Sequence, residues 1–564
     1  MSILNEIYHK EKFMKKLFSI FLSVIIVAAS LSFSASVSAA DSYYDTVKSG
    51  KNSDGYYVIK ADSVDDLFDA FDTAKNKASS SLPYKIVVKP GTYRLKTALK
   101  FYNNTYLYAR GAKFYRVSGS TANMVRCGLT SDNHTGYYFK NLTVDGGTWD
   151  EENGVNTLMK FAHAKNVVIK NATFQNVKAH IIEIAGVDGL TIDRCKFSNQ
   201  SLNGNSKTYE SIQLDILEKK HFKQYKYQDL PIKNVTVNKC TFTNVPRAIG
   251  SHTAVLNNPI TNIKITNNTF NKMKSCAVQL LYVRGCTISG NTVTASPRGI
   301  SVFGGVFSGQ DTFLASTLAK QGGVTTKTSS KYVKPSDMKI VIKNNKISLS
   351  GTDAYAKYET SGIWLNGYNA SKAYKSGDSL PKGNYYVTGV TISGNTVSGN
   401  GQGIRLDDVR NASVSGNKLT FKGKVKKVNF YGINIRNGCK SVTAKKNTIS
   451  GGYVNGIYVQ SASAGKITDN KITACKKYGI SIEKSTASNI LSNTVSKCNI
   501  NGIHIWDKST VKNIQKNKVS SCKKRGIYVG GKSKVTNITG NSLKSCKQKI
   551  FINKDSKVKK AQKK

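Results

Sequence analysis

Ile480-Ser481-Ile482-Glu483 is one of twelve copies of a short phrase that recurs through this chain of 564 residues. In eleven of the copies an aliphatic residue, a variable residue and a second aliphatic residue follow one another, and the copy at Ile249 has Ser251 in place of the second aliphatic residue. The other copies begin at Ile182, Ile212, Ile249, Val278, Ile300, Ile363, Ile404, Ile433, Ile457, Ile503 and Ile527. Alternation with a period of two is typical of a β-strand whose aliphatic side chains face a core and whose variable side chains face outward. The variable positions are therefore the candidate functional surface.

A column of asparagines has the same spacing as these strands. Where no insertion intervenes, its members are 22 to 24 residues apart, the length of one coil made of three strands: Asn268, Asn291, Asn345, Asn395, Asn417, Asn447, Asn470, Asn493, Asn517 and Asn541. Stacked asparagines at an inward turn can hydrogen-bond to the backbone and to one another. Leucine-rich repeats have a similar period but require a Leu-x-x-Leu-x-Leu pattern that is absent here. The repeat predicts an all-β fold, a solenoid of parallel strands in three sheets.

Four of the ten cysteines repeat with the coils. Cys475, Cys498, Cys522 and Cys546 are separated by 23, 24 and 24 residues, so we expect one column along the solenoid. Neighbouring rungs lie ~4.8 Å apart, which is compatible with disulfides but does not require them. We favour thiols that act as core residues.

The N-terminus has the pattern of a secretory signal peptide over residues 1–40. Lys15 and Lys16 precede the apolar run Leu17 to Ala29, and small residues before Ala39 and Ala40 suit cleavage. An uncleaved N-terminal anchor is the alternative. No later stretch is apolar enough to span a bilayer, so we expect a secreted, extracellular protein with no membrane span after cleavage.

The remaining boundaries follow from local patterns. Residues 41–83 contain one amphipathic helix, predicted from Val64 to Lys77 after a start resembling a capping box, which would cover the open end of the solenoid. The β-helix is expected over residues 84–553. Residues 554–564 are rich in lysine and are predicted to be a basic, disordered tail.

Two early motifs resemble a known family. Lys89-Pro90-Gly91-Thr92-Tyr93 and Val144-Asp145-Gly146-Gly147-Thr148-Trp149 resemble the opening coils of polygalacturonases, which belong to the pectate-lyase-like superfamily of right-handed parallel β-helices. The resemblance implies a right-handed, single-stranded β-helix and a secreted enzyme acting on polysaccharide.

The charge balance indicates the class of partner. A formal net charge of +51 attracts polyanions, and secretion argues against nucleic acid. We expect a monomer that binds an acidic polysaccharide or an anionic cell-wall polymer, with any attachment to the wall made through lysines. Lysines that only solubilise a large surface are the alternative.

Polar residues crowd the variable positions of the first coils. Stacking predicts one column of Glu183, Gln213, Gly250 and Gln279, a second of Ala185, Asp215, His252 and Leu281, and a third of His180, Glu210, Arg247, Cys276 and Arg298. Three insertions that follow the variable strand would form a wall beside them: Leu217 to Pro231, Gly304 to Ser336 and Gly367 to Asn384. A fourth insertion, Ser201 to Tyr209, would enter the face from the preceding turn. The first coils are therefore predicted to form a groove.

This cluster supports a catalytic hypothesis. Glu183 and Asp215 would have Cα atoms ~8 Å apart, which leaves space for a water molecule, as in an inverting glycosidase. His252 would tune proton transfer. Substrate would be bound by His180, Glu210, Gln213, Arg247, Gln279, Arg298 and the outward Trp364. Solvated polar ladders that bind nothing are the alternative.

The family's catalytic motifs are only approximated. Gln213-Leu214-Asp215 stands where polygalacturonases have paired aspartates, Gly250-Ser251-His252 approximates Gly-His-Gly, and Arg-x-Lys is missing. We prefer hydrolysis of an acidic, pectin-like glycan. β-Elimination, with calcium as a cofactor, and epimerisation are alternatives; otherwise no cofactor and no metal ligand set are predicted.

A function of a different class also fits. The chain would then be a non-catalytic surface protein held to anionic polymers by its lysines. Outward aromatic residues farther along, namely Tyr458, His504, Trp506 and Tyr528, are interpreted as surface packing because no insertion flanks them.

Overall fold

The computed structural model confirms a parallel β-helix. It describes residues 43–128, 134–203, 209–217, 230–306, 311–314, 333, 336–351, 360–367, 385–423 and 429–563. The predicted signal peptide lies outside these residues, as do most of the four predicted insertions. Successive strands pair with the strand one coil later, in parallel and in register, to give three sheets.

The first sheet contains the strands of the repeated phrase. Its strands are Leu99–Phe101, Val125–Cys127, the first parts of Met159–Lys170 and Ile182–Asp193, Glu210–Asp215, Arg247–Gly250, Cys276–Leu281, Arg298–Phe303, Ser361–Asn366, Gln402–Asp407, Tyr431–Arg436, Asn455–Gln460, Tyr478–Glu483, Asn501–Trp506, Arg525–Val529 and Gln548–Ile552.

The second sheet follows the first around each coil. Its strands are Gly50–Lys51, which is antiparallel to the next, Tyr57–Ala61, Tyr84–Val88, Thr105–Tyr108, Phe139–Asp145, the second parts of Met159–Lys170 and Ile182–Asp193, Lys233–Asn238, Ile260–Thr266, Val283–Ser289, Ile340–Lys343, Val387–Ser393, Val409–Ser415, Lys440–Lys445, Ser463–Thr468, Thr486–Leu491, Thr510–Gln515, Lys534–Thr539 and Lys557–Ala561. Left-handed residues, His163 and Gly186, turn the two long strands from one sheet into the other.

The third sheet closes each coil. Its strands are Gly91–Leu95, Ala112–Arg116, Thr148–Gly154, Thr173–Val177, Lys196–Ser198, Thr241–Thr243, Thr269–Asn271, Thr292–Ser296, Lys346–Leu349, Thr396–Gly399, Lys418–Phe421, Thr448–Ser450, Lys471–Thr473, Thr494–Ser496, Lys518–Ser520 and Ser542–Lys544. Thr253–Leu256 and Asp311–Leu314 form a separate parallel pair outside the coils.

The asparagine column is a continuous buried ladder, as predicted. Asn493 donates from Nδ2 to Asn517 Oδ1 at 2.9 Å and to the Ile467 carbonyl at 2.8 Å. Its own Oδ1 accepts from the backbone and the side chain of Asn470. The ladder therefore satisfies buried backbone groups at every turn.

The helix Val64–Lys77 has the predicted bounds. Ser63 and Asp66 form a capping box, and the buried face includes Leu67, Ala70 and Phe71, which packs against Phe101. The helix follows the first rung rather than preceding it, because Tyr57–Ala61 already pairs in parallel with Tyr84–Val88.

The C-terminal residues correct the prediction of a disordered tail. Lys557–Ala561 is a strand that pairs with Lys534–Thr539. Gln562 takes the place of the next asparagine in the ladder, since its Oε1 accepts from the backbone and the side chain of Asn541. Lysines at alternate outward positions therefore do not prevent the backbone from pairing.

The cysteines of the repeat lie in the core. Cys475, Cys498 and Cys522 are buried thiols, and Cys546 is half-buried.

None of the helices in the described part of the chain has the length and hydropathy needed to cross a lipid bilayer.

Candidate functional site

The register of the first sheet brings most of the predicted residues into columns. The predicted column Glu183–Gln213–Gly250–Gln279 is present. The predicted column through Glu210, Arg247, Cys276 and Arg298 is also present, but His180 precedes its strand and lies beside Glu210 outside the paired register. The column through Asp215 holds only in part. Asp215 pairs with Ala185, but the next strand ends at Gly250, so His252 lies in the turn beyond it.

The outer side of these columns is covered, which differs from the open groove expected. Leu217 and Leu230 pack over Ala162 and Ala185, together with Tyr137, and form a small apolar cluster outside the coils. The polar side chains beside this cluster are buried: Glu183, Glu210, Gln213, Asp215, Arg247, Gln279 and Arg298. The alternating pattern correctly predicted that these side chains point away from the core of the coils. It did not predict that they are shielded from water.

Glu210 is held between two cationic or basic groups. Its Oε1 pairs with Nη1 of Arg247, and its Oε2 lies 3.3 Å from Nδ1 of His180. Burial would raise the pKa of Glu210, but the Arg247 guanidinium and His180 outweigh it and lower the pKa. Burial lowers the pKa of His180 despite the nearby carboxylate, which favours a neutral ring. Glu210 is therefore an ionised carboxylate beside an imidazole.

Asp215 anchors the turn that carries His252. Its Oδ1 accepts from the backbone N–H groups of His252 and Thr253 at 3.2 Å each. Its Oδ2 accepts from Gln213 Nε2 at 2.6 Å and lies 3.3 Å from His252 Nε2. Asp215 has no exposed surface. This carboxylate is engaged on all sides, which suits a turn-stabilising role better than proton transfer to a polymer.

Glu183 has a partner that sequence reasoning missed. Lys160 occupies the same column one coil earlier, and its Nζ lies 2.8 Å from Glu183 Oε2, with both side chains largely buried. The phrase Met159-Lys160-Phe161 has the same alternation as the twelve strands, so extending the repeat one coil earlier would have found Lys160. Glu183 is thus neutralised by a lysine.

The three residues predicted farther along the face bind protein groups. Arg298 donates to the Gln279 side chain at 3.5 Å and to Ser275 Oγ at 2.8 Å. Trp364 is almost fully buried, and its Nε1 donates to Asp407 Oδ2 at 2.9 Å. The prediction that the Trp364 ring is exposed is wrong. Asp407, on the next coil and two residues farther along the strand, holds the ring against the sheet.

An open groove lies on the same face at the other end of the chain. It encloses a cavity of about 530 Å³ along the strands that contain Tyr431, Asn455, Tyr478, Asn501 and Arg525. These five residues occupy equivalent positions on successive coils. The groove therefore follows the axis of the solenoid, and we call it the aromatic groove.

Stacked rings form the floor of the aromatic groove. Tyr431 stacks on Tyr458 at 4.6 Å between ring centroids. His504 stacks between Tyr478 at 3.9 Å and Tyr528 at 4.8 Å. Trp506 stands beside them with 39 % of its surface exposed. Interpreting these rings as isolated surface packing missed that the coils place them together.

The edges of the aromatic groove carry cations and one acid. Lys477, Lys524 and Arg525 line it, and the Arg525 guanidinium lies 5.1 Å from the Tyr528 ring. Glu483 accepts from the hydroxyl groups of Tyr458 at 2.7 Å and Ser481 at 3.0 Å. The acid is therefore occupied, whereas the net charge of the groove lining is positive.

The groove also contains polar atoms without protein partners. Asn455 and Asn501 are buried, and the Oδ1 atoms of both lack a hydrogen-bond partner within the described residues. Asn501 Nδ2 lies 3.0 Å from Nδ1 of His504. Burial lowers the pKa of His504 to about 4, with Arg525 adding to the effect, so the ring is neutral at pH 7. The groove thus offers cations and aromatic faces above buried neutral amides.

Comparison with known proteins identifies the architecture. A family model described as right handed β-helix region matches residues 128–318 and 382–543. A curated relative, plasmin and fibronectin-binding protein A of Streptococcus pneumoniae (strain ATCC BAA-255 / R6), is 34% identical over 156 residues. That match covers 25% of this chain and only 21% of the relative's length.

Solved structures with a similar arrangement are more distant in sequence. The crystal structure of PfbA, a surface adhesin of Streptococcus pneumoniae, is 19% identical, with a TM-score of 0.45, over 83% of this chain and 91% of that chain. The tailspike protein of E. coli bacteriophage HK620 in complex with pentasaccharide is 13% identical, with a TM-score of 0.46, over 90% and 79%. The family model matches more than half of the chain. With its three sheets of parallel strands, the chain belongs to the right-handed β-helix family.

Proposed function

We propose that this chain is a non-catalytic, cell-surface β-helix protein that binds an acidic polysaccharide in the aromatic groove. The observation that carries the proposal is the groove itself, where stacked aromatic rings and three cations line one open cavity of about 530 Å³. Aromatic faces pack against the apolar faces of sugar rings, and their polar edges suit a wet surface.

The orientation of the groove suits a polymer. Tyr431, Asn455, Tyr478, Asn501 and Arg525 repeat once per coil, so equivalent positions recur every ~4.8 Å along the axis. A glycan chain lying along this direction meets similar groups at each step.

The charge of the groove favours an anionic glycan. Lys477, Lys524 and Arg525 are opposed by one acid, Glu483, which already accepts two hydrogen bonds. The whole chain carries a formal charge of +51, whose field adds to the local cations. Uronate or phosphate groups would therefore be attracted, and binding would weaken as salt screens the field.

Binding has more support than hydrolysis. The carboxylates predicted to act as acid and base are Glu183, which pairs with Lys160, and Asp215, which is sealed by hydrogen bonds. The curated relative is named for binding plasmin and fibronectin, and a surface location fits that likeness over 156 residues. Hydrolysis, β-elimination and epimerisation stay predictions that the experiment below tests together with binding.

The experiment titrates the chain with polyuronates and an anionic wall polymer at low and high salt, with plasmin and fibronectin in parallel. Trp506→Ala and Tyr528→Ala are each expected to weaken glycan binding roughly threefold to tenfold, equivalent to about 0.7–1.4 kcal/mol. Tyr57→Ala is the matched control, because this ring on the second sheet is similarly exposed, at 36 %.

Two outcomes would contradict the proposal. One is equal binding by the groove variants and the control, which would place any glycan elsewhere. The other is an enzymatic activity, seen as release of reducing ends or unsaturated sugars, that depends on the two carboxylates. Combining Glu183→Gln with Asp215→Asn would then lower the rate far more than twofold, because general acid and base groups typically accelerate a reaction by much larger factors.

A further inference from the structure

We propose that His180, Glu210 and His252 form a binding site for a divalent transition-metal ion of the zinc class. Each residue offers one ligand atom, and these atoms all lie within 4.8 Å of one another. The two imidazole rings face each other with centroids 6.4 Å apart. Two imidazoles and one carboxylate therefore converge on one point outside the first sheet.

The donor set selects the class of ion. Imidazole nitrogen together with carboxylate oxygen suits zinc, which takes such ligands at ~2.0–2.2 Å and leaves a fourth position for water or a ligand. Calcium and magnesium prefer sites made of oxygen alone. This set thus differs from the calcium site expected for a lyase.

The fold fixes the three ligands from three successive coils. Glu210 is paired in register with Arg247, and the Arg247 guanidinium holds Oε1 while Oε2 lies 3.3 Å from His180 Nδ1. The Asp215 carboxylate lies 3.3 Å from His252 Nε2. Gln213 Nε2 lies 2.7 Å from the same nitrogen, so Gln213 and Asp215 together fix the orientation of the His252 ring.

A separate observation also points to a missing group. Gln213 is buried, its amide nitrogen lies 2.7 Å from the His252 ring, and its Oε1 has no hydrogen-bond partner within the described residues. An unpaired buried acceptor is costly, and a water molecule on a metal ion can donate to it. The unpaired Gln213 oxygen beside the histidines is therefore accounted for by an occupied site.

The test measures Zn²⁺ binding to the chain, without a histidine tag, by calorimetry and by the visible absorption of Co²⁺ in its place. One equivalent should bind, and combining His180→Ala with His252→Ala should weaken binding by at least tenfold and abolish the Co²⁺ bands. His134→Ala, which removes a histidine that stacks on Tyr138 and belongs to neither proposed site, should change neither.

The histidine variants are preferable to Glu210→Gln, because the latter would leave the buried Arg247 guanidinium without its carboxylate and endanger folding. Circular dichroism of the double variant checks that the β-helix is intact. Absence of stoichiometric binding, or equal binding by the double variant and the chain itself, would overturn the proposal. The measurement uses no glycan, so its failure is distinguishable from failure of the aromatic groove.

Discussion

Replacing Lys160 tests whether Glu183 is a structural or a reactive carboxylate. The two charges lie 2.8 Å apart, and only 11% and 7% of their side chains are exposed. Lys160→Met keeps most of the apolar stem but leaves Glu183 buried without its cation. Breaking a buried ion pair in this way costs about 3–5 kcal/mol, whereas removing both charges with Glu183→Gln should restore stability to within about 1 kcal/mol. The difference between single and double variants isolates the pair.

The assay must report on the coils that contain the pair, because a solenoid can open coil by coil. Hydrogen exchange of the strand Met159–Lys170, measured by mass spectrometry across a urea series, provides this local readout. A loss of less than about 1 kcal/mol in Lys160→Met would refute the reasoning. So would a double variant as unstable as the single one. In either case Glu183 would not depend on Lys160 and would be available for proton transfer.

Two further predictions concern the pH dependence of stability and the asparagine ladder. Burial raises the pKa of Asp408 to about 6, although Arg410 opposes the shift. The folded chain therefore binds this proton more tightly than the unfolded chain does. Its free energy of unfolding should fall as the pH rises from about 4 to about 6. Asp408→Asn should therefore raise the free energy of unfolding, obtained from thermal melts, by up to about 3 kcal/mol at pH 8 and by much less at pH 4. Equal increases at both pH values would contradict this. Asn493→Ala removes four buried hydrogen bonds and should cost about 4 kcal/mol in urea unfolding. Asn489→Ala, which removes one hydrogen bond at a half-buried position of the strand Thr486–Leu491, should cost at most about 1 kcal/mol. Similar costs would argue against the ladder.

The fold could be predicted because its signals repeat. Every coil must stack on the last, so aliphatic alternation and the asparagine column are imposed many times over and a single imperfect copy does not obscure them. The strands at the two ends of the solenoid were not predicted, because neither carries the repeated signal. Tyr57–Ala61 is a lone rung separated from the others by the capping helix, and Lys557–Ala561 has only Val558 and Ala561 as apolar residues among its lysines.

The candidate site was predicted in its register but not in its environment. Parallel stacking correctly placed Glu210 beside Arg247, since a column follows from the repeat length alone. What covers a column does not follow from that length. Leu217 and Leu230 come from an insertion, and their packing over Ala185 depends on tertiary contacts that no local periodicity encodes.

The outward column of the first sheet explains how one fold could hold the two proposed sites. Its inward neighbours stay Ile, Leu or Val on almost every coil, because each must fill the same slice of core. The outward position has no such constraint, so it changes from Lys160 through Glu183 and Gln213 to Tyr458 and Tyr528 without disturbing the ladder. The charged groups of the early coils are buried and therefore need partners of opposite charge, whereas the stacked rings of the late coils are stable while open to solvent. Accessibility, rather than the presence of carboxylates, therefore decides where on this face a polymer can bind.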